Sequence, residues 1–261
     1  MKTLIVSGCS YTWGVFVDGS LSQQKNLAWP ELLAKKLEMK CLNLGLCGAG
    51  NEYIYSSILD EIIKQKDIGL VIPMWSESQR LDYQDGQGRW QGMHLHFARQ
   101  TGTELIEPWK NKATDWLVEE GYGDLEKLME RTIRYYYTFQ KVMESSGFPY
   151  VQLQGTYHFP IGTYLAWNMA MKVPIGTNSL SKILFKSEYL DLIDDTRFIG
   201  WPIAERLGGF SWDSYLDKLD PERVKFRIDR DHGIKDSHPN EEGHELMADL
   251  LYREIKQNEI L

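Results

Sequence analysis

The sequence has little cysteine, no long apolar run and no excess of positive charge. Its three cysteines, Cys9, Cys41 and Cys47, are odd in number and lack metal-site spacing, so free thiols in a reducing compartment are expected, with no metal and no cofactor. No run of about 18 apolar residues is present, which excludes a membrane-spanning helix. The first residues lead straight into a strand pattern instead of a charged segment followed by a hydrophobic one, so a soluble, cytoplasmic protein is expected. With 29 Lys and Arg against 37 Asp and Glu, the net charge is −8 and the pI about 5.3. That balance argues against a sequence-independent nucleic-acid binder, which needs a basic face. Internal repeats and low-complexity tracts are also lacking.

What is present is a rhythm of short apolar runs and amphipathic stretches. Thr3 to Val6 is β-branched-rich and bounded by glycine, as expected of a buried parallel strand. Leu32, Leu33 and Leu37 predict a helix from about Trp29 to Glu38, with Pro30 tolerated in its first turn. Cys41 to Leu46 returns as a strand, Ile54, Ile58 and Ile62 mark the next helix, and Ile68 to Met74 the third strand. Leu125 to about Ser145 predicts a long helix, Tyr150 to Leu153 a fourth strand, Phe226 to Ile228 a short further strand, and Glu245 to Ile255 the last helix. Parallel strands require crossover helices, so the class is α/β with a mostly parallel sheet of about five strands. A length of 261 residues suits one domain over 1–261. Two stretches, about 80–123 and about 156–224, break the rhythm and read as insertions over the strand ends. Both are rich in aromatics, which serve packing more often than sugar binding. Trp13 to Lys25 reads as a surface loop.

The first strand ends in Gly8-Cys9-Ser10, and ligands of open α/β sheets bind at the carboxyl ends of strands. Ser10 is therefore a candidate nucleophile, although serine serves equally well as a helix cap. Cys9, one residue earlier on an extended segment, points the opposite way and reads as core. Acyl transfer through serine needs a base, a group that orients the base, and donors for the oxyanion. Near the other end of the chain, Asp236-Ser237-His238-Pro239-Asn240 offers His238 as base, in a Pro-containing loop before a helix, and Asp236 as its orienter. Two other patterns fall away. Gly45-x-x-Gly48-x-Gly50 follows the second strand with the wrong glycine order for a dinucleotide site. His94-x-His96 lacks further ligands at metal spacing and reads as a loop pair.

Together, Gly8-Cys9-Ser10, Asn43-Leu44-Gly45-Leu46-Cys47-Gly48 and Asp236-Ser237-His238-Pro239-Asn240 resemble blocks I, II and V of the SGNH (GDSL-type) hydrolase superfamily. Trp13-Gly14, Gly48-Ala49-Gly50-Asn51-Glu52 and Gly200-Trp201-Pro202 further resemble members encoded in bacteriophage genomes. The resemblance implies a three-layer α/β/α sandwich of flavodoxin-like type, with Ser10 as nucleophile, Asp236 and His238 completing the triad, and the N–H of Ser10 and Gly48 in the oxyanion hole. It also implies a serine esterase or deacylase acting on a small-molecule or carbohydrate acyl ester, such as an O-acetyl group. An acyltransferase with the same triad and a degenerate ligand-binding member are the alternatives. The departure is in block III, where the family carries an Asn after the third strand and this chain has Met74-Trp75-Ser76-Glu77-Ser78-Gln79-Arg80. Ser76, then Arg80, are the expected replacement donors, with Ser78, Gln79 and Asn51 behind them. Glu77 is expected to face away or to pair with Arg80.

Overall fold

The computed structural model describes residues 1–14, 27–95, 108–158, 180–229 and 235–261. Much of the expected loop after Trp13, the aromatics Phe159, Tyr164 and Trp167, and His96 lie outside the described residues, as do the side chains of Ser237 and Asp236.

Strand β1 (Thr3–Ser7) is followed by a one-turn helix α1 (Ser10–Trp13), helix α2 (Trp29–Lys36), β2 (Lys40–Asn43), α3 (Asn51–Ile62) and β3 (Ile68–Trp75). A hairpin of β4 (Arg80–Gln84) and β5 (Trp90–His94) comes next, then α4 (Pro108–Glu119), α5 (Leu125–Ser146) and β6 (Gln152–Gln154). The remainder holds α6 (Leu180–Phe185), β7 (Phe198–Ile199), α7 (Trp212–Leu219), β8 (Arg227–Asp229), β9 (Lys235–Pro239) and α8 (Glu241–Gln257).

The main sheet has the order β2-β1-β3-β6-β7, and all its pairings are parallel. From β1 the chain steps to one side to reach β2, then crosses back over β1 to β3 and onward to β6. Right-handed crossovers in opposite directions place their helices on opposite faces. Accordingly α2 packs with α8, and α3 with α5, giving helices on both faces of the sheet. The change of direction between β1 and β3 is the switch point where such sheets open a crevice at their carboxyl ends.

Local chemistry explains the elements. All eight residues of β3 are buried, as its central place demands. Val71 donates to Pro149 O and accepts from Val151 N–H, whereas Pro73 has no N–H with which to extend that ladder. Helix α5 begins at Asp124, whose carboxylate accepts from Lys127 N–H, and ends at Gly147 in the left-handed conformation. Its buried face follows the helical period: Leu125, Leu128, Met129, Ile133 and Tyr136. Lys36 of α2 pairs with Asp249 of α8 at 2.8 Å. No helix among the described residues is long and apolar enough to cross a membrane.

Three expectations require correction. The fifth strand of the sheet is β7, from the stretch read as an insertion, while the short strand expected near Phe226 is β8, which pairs antiparallel with β9 in a separate two-stranded sheet. A two-residue strand is too short to show periodicity. His238 lies within β9 and not in a loop. The stretch from Arg80 opens with a β-hairpin, so His94 is a strand residue and not half of a loop pair.

Two fully enclosed histidines make stability sensitive to pH. His244 Nδ1 accepts from Trp29 N–H at 3.2 Å at the start of α2, and burial, with His238 adding, pushes its pKa down to about 3. His158 sits 3.3 Å from Ser78 Oγ and is likewise pushed down to about 3 by burial. Both stay neutral in the folded chain while the unfolded chain takes up protons below pH about 6.5. The unfolded state then binds more protons, so stability falls on acidification; by pH 5 the loss is about 2 kcal/mol per histidine. Denaturant unfolding at pH 7 and pH 5 should show a smaller drop in His244→Asn than in the wild type. Equal drops would show that His244 protonates freely in the folded protein.

Candidate active site

Ser10 is the first residue of α1, directly beyond β1. Thr12 N–H and Trp13 N–H both bond to Cys9 O, at 2.9 and 3.0 Å, and Gly14, with φ 78°, closes the turn onto Ser10 O. The earliest N–H groups of a helix have no partner within it, so the Ser10 amide is available to a ligand. Gly8 admits the sharp bend: a Cβ there would lie 2.1 Å from Thr12 Oγ1. Cys9 is buried, as expected, and all three cysteines are free thiols. Cys47 is at the surface of its turn, yet packing desolvates its sulfur and, with Cys9 adding and Arg80 opposing, pushes the thiol up to about 11. It stays protonated at neutral pH and is a poor nucleophile.

His238, 228 positions further along the chain, places its Nε2 at 2.8 Å from Ser10 Oγ. In the tautomer with Nε2 unprotonated, the serine hydroxyl donates to it. Asn240 fixes where β9 gives way to α8: its side chain accepts from Gly243 N–H at 3.0 Å and donates to Lys225 O at 2.8 Å. The Tyr11 ring meets the imidazole edge-on, with centroids 5.2 Å apart. The backbone of Asp236 lies two residues before His238 in β9.

The segment after β2 runs beside the nucleophile because the β1–β2 ladder continues past the strand: Leu44 N–H bonds to Val6 O at 2.8 Å and Leu46 N–H to Gly8 O at 3.0 Å. Asn43 stitches this segment to α1, donating to Thr12 O at 2.8 Å and accepting from Gly45 N–H at 2.9 Å. Ala49 N–H then closes a β-turn onto Leu46 O, with Gly48 at its third position and φ 77°. Among the described residues, a Cβ at Gly48 would meet nothing within 4 Å. The β4 strand clamps the turn: Arg80 Nη1 donates to Ala49 O at 3.1 Å, and Asp82 accepts from Gly50 N–H at 2.7 Å and Tyr53 N–H at 3.0 Å. Sequence reasoning missed Asp82, which carries no motif of its own.

The end of β3 differs from expectation. Ser76 is 0% exposed; its N–H bonds to Asn51 Oδ1 at 2.8 Å and its carbonyl accepts from Asn51 and Gln154. Asn51 is thereby committed to β3. Arg80 is 8% exposed and its guanidinium is committed to Ala49 O and to Glu77, at 2.7 Å. Neither Ser76 nor Arg80 is presented to an open cleft. Ser78 and Gln79 are likewise buried. Glu77 pairs with Arg80 and accepts from Gln79 at 2.8 Å; burial opposes its ionisation, but Arg80, His94 and these bonds hold the carboxyl below its usual range. Three aromatics of the second insertion pack on one another: Trp212 is buried and stacks on Tyr215 at 5.4 Å, which in turn meets Phe210 at 5.2 Å.

No family profile and no curated protein matches this chain. Among solved structures, a G-D-S-L family protein from Desulfitobacterium hafniense is 15% identical with a TM-score of 0.46, covering 97% of this chain and 99% of its own. A carbohydrate acetylesterase family member from Sinorhizobium meliloti is 14% identical with a TM-score of 0.43, covering 99% of each chain. The acetyl xylan esterase AlAXEase is 12% identical with a TM-score of 0.44, covering 96% and 98%.

Proposed function

We propose that this chain is a serine ester hydrolase of SGNH type, with one catalytic domain over residues 1–261, that removes a small acyl group such as O-acetyl from a small-molecule or carbohydrate ester. The observation that carries the reading is the 2.8 Å contact between His238 Nε2 and Ser10 Oγ at the switch point of a parallel sheet. In this mechanism neutral His238 takes the Ser10 proton as Oγ attacks the ester carbonyl, and a tetrahedral oxyanion forms. The N–H groups of Ser10 and Gly48 receive that oxyanion, a two-donor hole, since Ser76 and Arg80 are enclosed. The imidazolium returns its proton to the leaving alkoxide, an acyl-Ser10 ester remains, and the same histidine activates the water that hydrolyses it. Asp236 is assigned the orienting of His238. Three free thiols suit a reducing cytoplasm, and the motif likeness to bacteriophage-encoded proteins belongs to this same reading.

The test is covalent capture. A fluorophosphonate should add once per chain, on the peptide containing Ser10, and p-nitrophenyl acetate should give a burst of p-nitrophenolate matching the number of labelled sites. Protein that neither labels nor turns over any activated ester would refute the reading.

A further inference from the structure

Behind the nucleophile lies a buried charged cluster that acyl transfer does not itself require. Arg227, on β8, is 2% exposed. Its guanidinium donates to Asp213 Oδ1 at 2.9 Å, to Asp213 O at 3.1 Å and to Asp217 Oδ1 at 2.8 Å. Tyr11 donates its hydroxyl to the same Asp213 Oδ1 at 2.9 Å and lies 3.4 Å from the guanidinium. The other carboxylate oxygens are also occupied: Tyr157 N–H donates to Asp213 Oδ2 at 3.1 Å, and Tyr157 Oη to Asp217 Oδ2 at 2.9 Å. Arg223 pairs with Asp217 from the solvent side.

The cluster joins the chain segments that carry the two reacting side chains. Tyr11 is the neighbour of Ser10 in α1, and its ring rests against the His238 imidazole. Arg227 stands opposite Pro239 in the β8–β9 register, one residue from His238. This hairpin pairs with no other strand among the described residues. An isolated two-stranded hairpin is marginal, so its orientation comes from tertiary contacts. A buried ion pair adds little net stability, because desolvation offsets its Coulomb attraction; its best use is to select one arrangement. A buried guanidinium bonded to two carboxylates does that well, its planar fork admitting few alternatives.

We propose that Tyr11, Asp213 and Arg227 are positioning residues for the Ser10–His238 pair. The Arg227–Asp213 pair fixes the β8–β9 hairpin and the Tyr11 hydroxyl, and the Tyr11 ring holds the imidazole at hydrogen-bonding distance from Ser10. The inference rests on the acyl-transfer reading.

The experiment is steady-state hydrolysis of p-nitrophenyl acetate by the full chain and its Tyr11→Phe, Tyr11→Leu and Arg227→Met variants, with thermal unfolding measured in parallel. Tyr11→Leu removes the ring and should lower kcat on the order of 10²-fold with KM unchanged, the usual cost of misplacing a reacting group by about an ångström. Tyr11→Phe keeps the ring and loses only the hydroxyl anchor, so it should recover much of that loss. Arg227→Met should lower kcat of the folded protein to a similar degree and should also lower Tm, because it leaves the Asp213 and Asp217 carboxylates without their cation. Wild-type kcat in Tyr11→Leu, or an Arg227→Met protein that is less stable yet keeps wild-type kcat in its folded fraction, would overturn the proposal. If Arg227→Met does not fold, the two Tyr11 variants decide. Activity in the wild type with unaffected Tyr11 variants removes this inference alone, whereas absence of both turnover and Ser10 labelling removes it together with the ester hydrolase reading.

Discussion

Ser10→Ala is expected to lower kcat for p-nitrophenyl acetate by about 10⁶-fold, leaving only what a bare oxyanion hole and binding supply. The expectation follows from how the proton moves. Ser10 Oγ becomes a nucleophile only as Nε2 of His238, 2.8 Å away, accepts its hydrogen, so the two side chains act as one unit. His238→Ala should therefore cost nearly as much as Ser10→Ala, and the double variant no more than either alone. Additive losses would mean that the two act independently and that the contact is incidental. Asp236→Asn should cost less, about 10⁴-fold, because it removes the orienter and not the proton acceptor. Rates from single-turnover acylation, with melting temperatures as the control for folding, would decide between these outcomes.

Gly45→Ala is the second large effect, and it acts through backbone contact. A Cβ on Gly45 would sit 2.5 Å from Trp13 N and 2.8 Å from both Thr12 C and Trp13 Cα, and none of these is a flexible side-chain end that could turn away. The segment after β2 would have to move off α1, against the two hydrogen bonds by which Asn43 joins them. Because α1 carries Ser10 and the displaced segment carries Gly48, the two N–H groups assigned to the oxyanion would separate. A stability loss of about 1–3 kcal/mol is expected from the overpacking, with kcat lower by on the order of 10²-fold. Gly48→Ala is the informative contrast. Its Cβ would meet nothing among the described residues, so the left-handed φ of 77° is what resists, a cost of about 1 kcal/mol. Equal stability losses in the two variants would show that close backbone approach is not what Gly45 provides.

Particular elements show how far local pattern reaches. Helix α5 was legible because its apolar residues recur at the helical period over many turns. Strands β1 and β3 were legible as short apolar runs, and their alternation with helices dictated a parallel sheet. Ser10 and His238 stood out through motifs that sit beside such elements, and the fold brings them into contact. The β4–β5 hairpin, by contrast, has partly exposed residues on both strands and hides among polar sequence. Strand β7 is two residues long, and its place at the sheet edge is decided by β6 lying next to it.

The sequence by itself determined the α/β class, the order of strands β1, β2, β3 and β6 and of helices α2, α3, α5 and α8, and the identity of the candidate nucleophile and base, because these depend on interactions within a few residues or on short motifs. Tertiary structure alone decided that the Asn51 side chain bonds the backbone of Ser76, that Arg80 and Asp82 brace the Gly48 turn, and that Arg227 lies buried between Asp213, Asp217 and Tyr11. A charged or amide side chain has the same letter whether it faces water or is enclosed. Its role depends on partners up to 216 positions away, and only the packed chain brings those within hydrogen-bonding distance.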